Sequence, residues 1–367
     1  MQSSNRFHSL IKKYVIGVAA AGAICAAHFS AAAATVTYPS VQWAKGSSYS
    51  STSVFNATSN TGYFSDWVAS PNQIFQVDLA RMTSTSSLTV TGPTYLNAVA
   101  YNPGKNTAVY GGYYSNQFAF VNLANFTQTG TLTLNASLNF PGTYSEAYDP
   151  TTQMAYFGSN AGKATVKGQI IKIDTSKSAF VSSIPLLAGE AVVNFLMIDP
   201  GRQMLYAGIV TGTTKSGTSR LVSINLVTGA RVSSLSIPTT YIDWGLIDTG
   251  NNIAYVTSYG TATTLYKIDL GSLSIVASTA LTSPVISGGV IDLIHNLAFF
   301  GSSNNSCNVS TVDLTTFRET GTISMACSPF ARGDTSQGIY TQFIDTTNRF
   351  VYWGVDTSPG SVIRMPY

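Results

Sequence analysis

The chain reads as an all-β protein: a seven-bladed β-propeller of four-stranded antiparallel blades, its ring closed by an N-terminal strand that completes the last blade. Three observations predict this. A two-strand pattern recurs seven times, a second alternating strand recurs between its copies, and the last copy stops one strand short while a spare strand precedes the first. A fixed period of about 40–50 residues with four short strands per unit is the mark of a propeller.

The first pattern is an apolar strand ending in Asp or Asn, a short polar turn, and a second strand carrying an aromatic. YDPTTQMAYFGS (148–159) and IDTTNRFVYWGV (344–355) are typical copies. The markers that end the first strand are Asn56, Asn102, Asp149, Asp199, Asp248, Asp292 and Asp345. An aromatic follows seven residues later in six copies and eight later in one, at Tyr110. Asp, Asn, Gly and Pro at these sites are turn formers, and the period-two alternation on either side is that of strands.

The second element closes in Asp or Asn as well: IFQVDL (74–79), FAFVNL (118–123), IIKIDT (170–175), LVSINL (221–226), LYKIDL (265–270) and VSTVDL (309–314). A seventh copy, VIRMPY (362–367), carries Pro366 in place of the acid or amide. A further strand follows each of the first six, so each unit is a set A, B, C and D. One such sheet cannot cover its own two faces; stacking around an axis lets each blade bury its neighbours. The last copy lacks D, and ATVTYPSVQW (34–43) is a strand without A, B or C of its own. It is expected to supply the missing D, which removes an open sheet edge.

AYVTS (254–258) followed by LYKIDL resembles the YVTN-type repeat of extracellular propellers. The match is literal only in the fifth unit, with Ser258 where that family usually has Asn; the other units match as hydrophobic pattern. The resemblance implies a secreted seven-bladed propeller and no particular ligand, because one fold hosts many functions.

The N-terminal end points to export. Arg6, Lys12 and Lys13 precede an apolar run over 14–27 and a small-residue exit in SAAAA, the layout of a secretory signal peptide. The run is too short to span a bilayer, which takes ~20 residues. Expected organisation is therefore a signal peptide over 1–34 and a propeller over 35–367. Of the 19 Lys and Arg, three lie in the leader, leaving 16 against 16 Asp and Glu. A near-neutral mature chain has no basic stripe to hold nucleic acid, and no second long apolar run suggests a membrane span. Cys307 and Cys327 remain after cleavage. In an exported chain this pair is expected to form a disulfide, since both sites fall in loops on one side of the disc.

Loop lengths distinguish the two sides. From the A–B marker to the strand-C marker the gaps are 22, 20, 25, 26, 21, 21 and 21, and from there to the next A–B marker 24, 27, 25, 23, 23 and 32. The A–B turns are nearly constant, so the variation lies in B–C loops and D–A connections, which share one side. The longest departures are 159–169, 210–219 and 327–338. Variable loops on a rigid scaffold are where binding is expected. Strand A starts on that side near the axis. Five residues before each marker lie Ser51, Asn97, Tyr144, Asn194, Asp243, Ser287 and Tyr340, all polar or tyrosine, with Glu146, Trp244 and Gln342 close by. The expected ligand-binding set is Asn97, Tyr144, Glu146, Asn194, Asp243, Trp244, Tyr340 and Gln342.

Several chemistries lack their residues. His8 and His28 lie in the leader, and His295 sits in an A–B turn on the uniform side. A Ser–His–Asp triad or a His-dependent lyase therefore has no base at the mouth. Asp-rich turns such as DTGNN (248–252) lack the ligand spacing of a calcium loop. No metal or cofactor is expected. Asp243, Glu146 and Asp334 remain candidate paired carboxylates for glycoside chemistry. Sequons at Asn56, Asn125, Asn135, Asn304 and Asn308 matter only where such sites are glycosylated. Three functions stay open: a secreted module recognising an extracellular protein or glycan through the B–C/D–A face; a hydrolase or lyase using acids at the channel mouth; and a structural surface or envelope component.

Overall fold

The computed structural model describes residues 37–43, 50–68, 71–160, 167–211, 217–303, 307–325, 338–357 and 360–367. They form seven four-stranded antiparallel sheets. Blade 1 runs through strands Ser50–Asn56, Thr61–Asp66, Asn72–Asp78 and Thr83–Val90. Blades 2 to 6 repeat this order, and blade 7 uses Ile339–Asp345, Phe350–Val355 and Ser361–Pro366. Its fourth strand is Ser40–Gln42, paired antiparallel with Ser40 opposite Ile363 and Gln42 opposite Ser361. The ring thus closes by hydrogen bonds between the two ends of the chain, as the spare strand implied. Successive A strands touch one another all the way round, blade 7 against blade 1 included.

The A–B and C–D turns follow from one local rule. Each A–B marker side chain accepts backbone N–H groups two or three residues on, as Asp345 does from Thr347 and Asn348 at 3.1 and 3.0 Å. The fourth residue after each marker then takes positive φ: Asn60, Asn106, Gln153, Gln203, Asn252, Asn296 and Arg349. The strand-C markers behave alike, with Asp313 accepting from Thr315 and Thr316 at 2.8 and 2.9 Å and Phe317 at φ 53°. A carboxylate or amide that caps its own turn offsets the backbone groups the reversal leaves unpaired.

The core is a series of packs between neighbouring blades. Tyr206, Phe195 and Met197 of blade 4 pack with Val256, Ile268 and Tyr266 of blade 5, and equivalent clusters fill the other junctions. The strand-B aromatic seven residues after the marker, such as Tyr63, faces the next blade. Tyr110 is not its counterpart in blade 2. The turn there has the standard length, Asn102 pairing with Thr107, so Val109 takes the equivalent position. Tyr110 falls on the opposite face and packs against blade 1. One residue along a strand reverses the side-chain direction.

Trp43, just after Ser40–Gln42, locks the closure. Its ring stacks on Phe75 of blade 1 at 4.8 Å, and its backbone N–H donates to the Gly360 carbonyl at 2.9 Å. Of the sequons, Asn56 is buried in its turn while Asn125 and Asn135 are exposed; Asn304 lies outside the described residues.

Candidate functional site at the channel mouth

In every blade the A–B pairing skips one residue near the start of strand A. The skipped residues are Ser51, Asn97, Tyr144, Asn194, Asp243, Ser287 and Tyr340. These are the seven positions that stand five residues before each marker. Each is a β-bulge, a device that bends the strand and re-aims a side chain. All seven line a single cavity of about 620 Å³. The eight residues of the expected binding set line it too, so strands from blades 2, 3, 4, 5 and 7 bring them together.

Four of the bulged side chains also stitch the ring. Ser51 donates to the Leu96 carbonyl, Asn97 to those of Thr143 and Tyr144, Asn194 to Ile242 and Ser287 to Ile339. Each acceptor lies at the bulge of the next blade. Polarity at these four positions therefore has a structural cause: the bulge leaves strand-A carbonyls without partners in their own sheet, and the neighbouring side chain satisfies them.

Tyr144 and Asp243 are arranged differently. Tyr144 and Tyr241 line the cavity together and their phenols influence each other, and Tyr241 donates to Asn194 Oδ1 at 3.3 Å. The Tyr241 ring meets Tyr259 edge-on at 5.3 Å. Asp243 interacts electrostatically with all three phenols. Burial in the channel wall pushes its carboxyl up to about 7. Glu146 is pushed up to about 8, again by burial, partly countered by a hydrogen bond from the Val99 backbone.

Trp244 and Gln342 are held against blade 6, whose strand A contains Gly288 and Gly289. The Trp244 indole N–H donates to the Gly289 carbonyl at 3.0 Å, and a Cβ on Gly288 would fall 2.0 Å from Gln342 Oε1. Gly288 thus makes room for the Gln342 side chain of blade 7. Gln342 Oε1 is buried without a hydrogen-bond partner among the described residues.

Several lining residues were not anticipated from sequence. Trp67, Tyr113, Tyr114 and Tyr259 border the same cavity. Trp67 and Tyr113 meet at 5.0 Å, and Tyr113 and Tyr114 at 4.4 Å. Each lies one or two residues after the end of strand B, in blades 1, 2 and 5; an aromatic recurring at that offset was the available signal. The long loops behave otherwise: most of 159–169, 210–219 and 327–338 lies outside the described residues, as do Asp334 and Cys327.

Among the described residues no Lys, Arg or His lines the cavity, and no group of three His, Cys, Asp or Glu is placed to hold a metal ion. His295 is engaged in its A–B turn, 2.7 Å from Asp292. Asp248 is a turn former, accepting from the Asn251 backbone and side chain at 3.0 and 2.7 Å. No described helix is long and apolar enough to cross a membrane. The class defined by fold and site is a seven-bladed propeller with a polar, aromatic-lined channel mouth. The sequence matches no family model and none of the curated proteins.

Proposed function

We propose that this chain is an exported recognition module that takes a glycan at the channel mouth on the B–C/D–A side. One observation carries this: a single cavity of about 620 Å³ is walled by Tyr and Trp rings interleaved with hydroxyl, amide and carboxyl groups. Its size falls in the range of small-ligand sites, roughly 300–1,000 Å³. Sugars present apolar C–H faces and rings of hydroxyls; aromatic rings supply contact area to the first, and directional polar groups serve the second. Export over residues 1–34, the YVTN-type resemblance and the Cys307–Cys327 bridge belong to the same reading. A protein segment inserted in the cavity is the alternative occupant.

A second reading draws support from the two carboxyls. Glu146 and Asp243 line one cavity and are both biased towards the protonated form, as a general acid for glycoside cleavage needs. That chemistry also needs an ionised partner, which favours binding over turnover here.

The deciding experiment is a glycan array probed with the chain beginning at residue 35, with product analysis on each positive sugar. Binding without turnover, weakened by Trp244→Ala, supports recognition. Cleavage abolished by Glu146→Gln supports the hydrolase. No glycan bound, with a protein recovered from the native exterior, overturns the glycan reading.

A further inference from the structure

We propose that the ligand of this mouth carries a protonated amine, which the Asp243 carboxylate receives beside the rings of Tyr144, Tyr241 and Tyr259. The inference rests on the glycan reading and narrows it to sugars with free amino groups.

The charge of the cavity is one-sided. Its described lining holds two carboxyls, Asp243 and Glu146, and no cationic side chain. A carboxyl placed in a protein wall with no cation beside it is penalised in its charged form. An ammonium arriving from solvent removes that penalty, whereas an anionic sugar meets like charge and a neutral one leaves it unchanged.

The position is also built rather than incidental. Asp243 is the bulged residue of blade 5, between Ile242 paired with Ser258 and Trp244 paired with Thr257, so the backbone sets where its carboxyl stands. Six of the seven equivalent positions carry a neutral side chain. The three phenols that feel its charge sit on strand A of blade 3, the connection into blade 5 and the B–C loop of blade 5. Tyr241 is held by its hydrogen bond to Asn194 Oδ1. An ammonium is attracted to a carboxylate and to an aromatic face alike; an acetamide in its place gains neither.

The pH dependence follows. Its place in the channel wall raises the Asp243 carboxyl to about 7, and an ammonium needs it ionised. Affinity should therefore rise with pH through that value and fall once the ligand's own amine loses its proton. Tyr144, Tyr241 and Tyr259, all raised by burial, stay neutral across this range. Glu146 adds a second negative charge above about 8.

The test is calorimetric titration of the chain from residue 35 with four probes: a glucosamine trisaccharide, its fully N-acetylated counterpart, a glucose trisaccharide of the same linkage, and a simple alkylamine. The free-amine sugar should bind at least about tenfold more tightly than the other two sugars. Asp243→Asn, which keeps shape and removes the charge, should abolish that preference, so that within the variant the free-amine sugar binds no more tightly than the other two. Equal affinity for all three sugars, or a preference that survives Asp243→Asn, overturns the inference and leaves the glycan reading standing. Alkylamine binding that depends on Asp243, with no sugar bound, sinks the glycan reading and keeps the amine. No binding of any probe removes both.

Discussion

Trp244 donates its indole N–H to the carbonyl of Gly289, 3.0 Å away across the junction of blades 5 and 6. The Trp244 ring at the mouth is thus oriented by its neighbour's backbone. Trp244→Phe keeps a ring and loses the donor. It should reduce stability by about 1 kcal/mol, the usual net value of one hydrogen bond, while Trp244→Ala should also weaken ligand binding by about 2 kcal/mol as a buried contact does. Thr347→Ala, in an exposed A–B turn, is the control. Equal affinity losses at both faces, read by titration, would mean the ligand does not use the B–C/D–A side.

Ring closure should depend on Trp43. It is 4% exposed and stacked between blade 7 and blade 1. Trp43→Ala should cost about 3–5 kcal/mol, in the range of large-to-small aromatic truncations, and deleting residues 37–43 should add aggregation by opening the edge of Ser361–Pro366. Urea unfolding measures the first and light scattering the second. An unchanged midpoint for Trp43→Ala would show that the ring does not rely on this contact.

Stability should fall as pH rises through neutrality. The folded-state values of Asp243 and Glu146, about 7 and about 8, lie above those of unfolded chains, about 3.9 and 4.3. The folded state therefore binds more protons between these limits. The stabilisation is fully present below about pH 4 and is lost as pH climbs to about 8. Thermal melts across this window should show a decline that Asp243→Asn with Glu146→Gln flattens. A melt that is flat in the wild type would place both carboxyls in ordinary solvent.

The turn carboxylates should behave as caps. Asp248→Ala removes an acceptor for the Asn251 backbone and side chain and should cost about 1–2 kcal/mol. Added Ca²⁺ should leave the wild-type melting temperature unchanged. A rise with Ca²⁺ that vanishes in Asp248→Ala would assign the turn to metal instead.

Reduction should weaken the fold. Cys307 is fully buried among blade 6 and 7 residues, and its carbonyl accepts from Met325, two residues before Cys327. A bridge between the cysteines would close a loop of about 20 residues and contribute roughly 2–4 kcal/mol. Non-reducing peptide mapping should find Cys307 linked to Cys327. Two free thiols in the native protein would exclude it.

How much of this was legible in the sequence depends on the range of the interaction behind each feature. The Asp and Asn markers act within three residues of themselves, so the strand boundaries and the blade count could be read directly. Tyr110, eight residues after its marker rather than seven, is not the counterpart of Tyr63, because the turn length is constant and one further residue changes face. The recurrence of polar residues five before each marker was visible; that a bulge at each aims them into one cavity, and that four of them bind the next blade's backbone, was not.

The sequence by itself determined the repeat, the turns and the missing strand that Ser40–Gln42 supplies, because period-two burial and turn capping are properties of a few neighbouring residues. Only the tertiary structure decided which side chains share a space. Tyr144 and Tyr241 lie almost a hundred residues apart yet line one cavity, and the isolation of Asp243 from any described cation follows from seven strands converging on one axis. Distances between blades are set by how the blades pack, and no spacing along the chain records them.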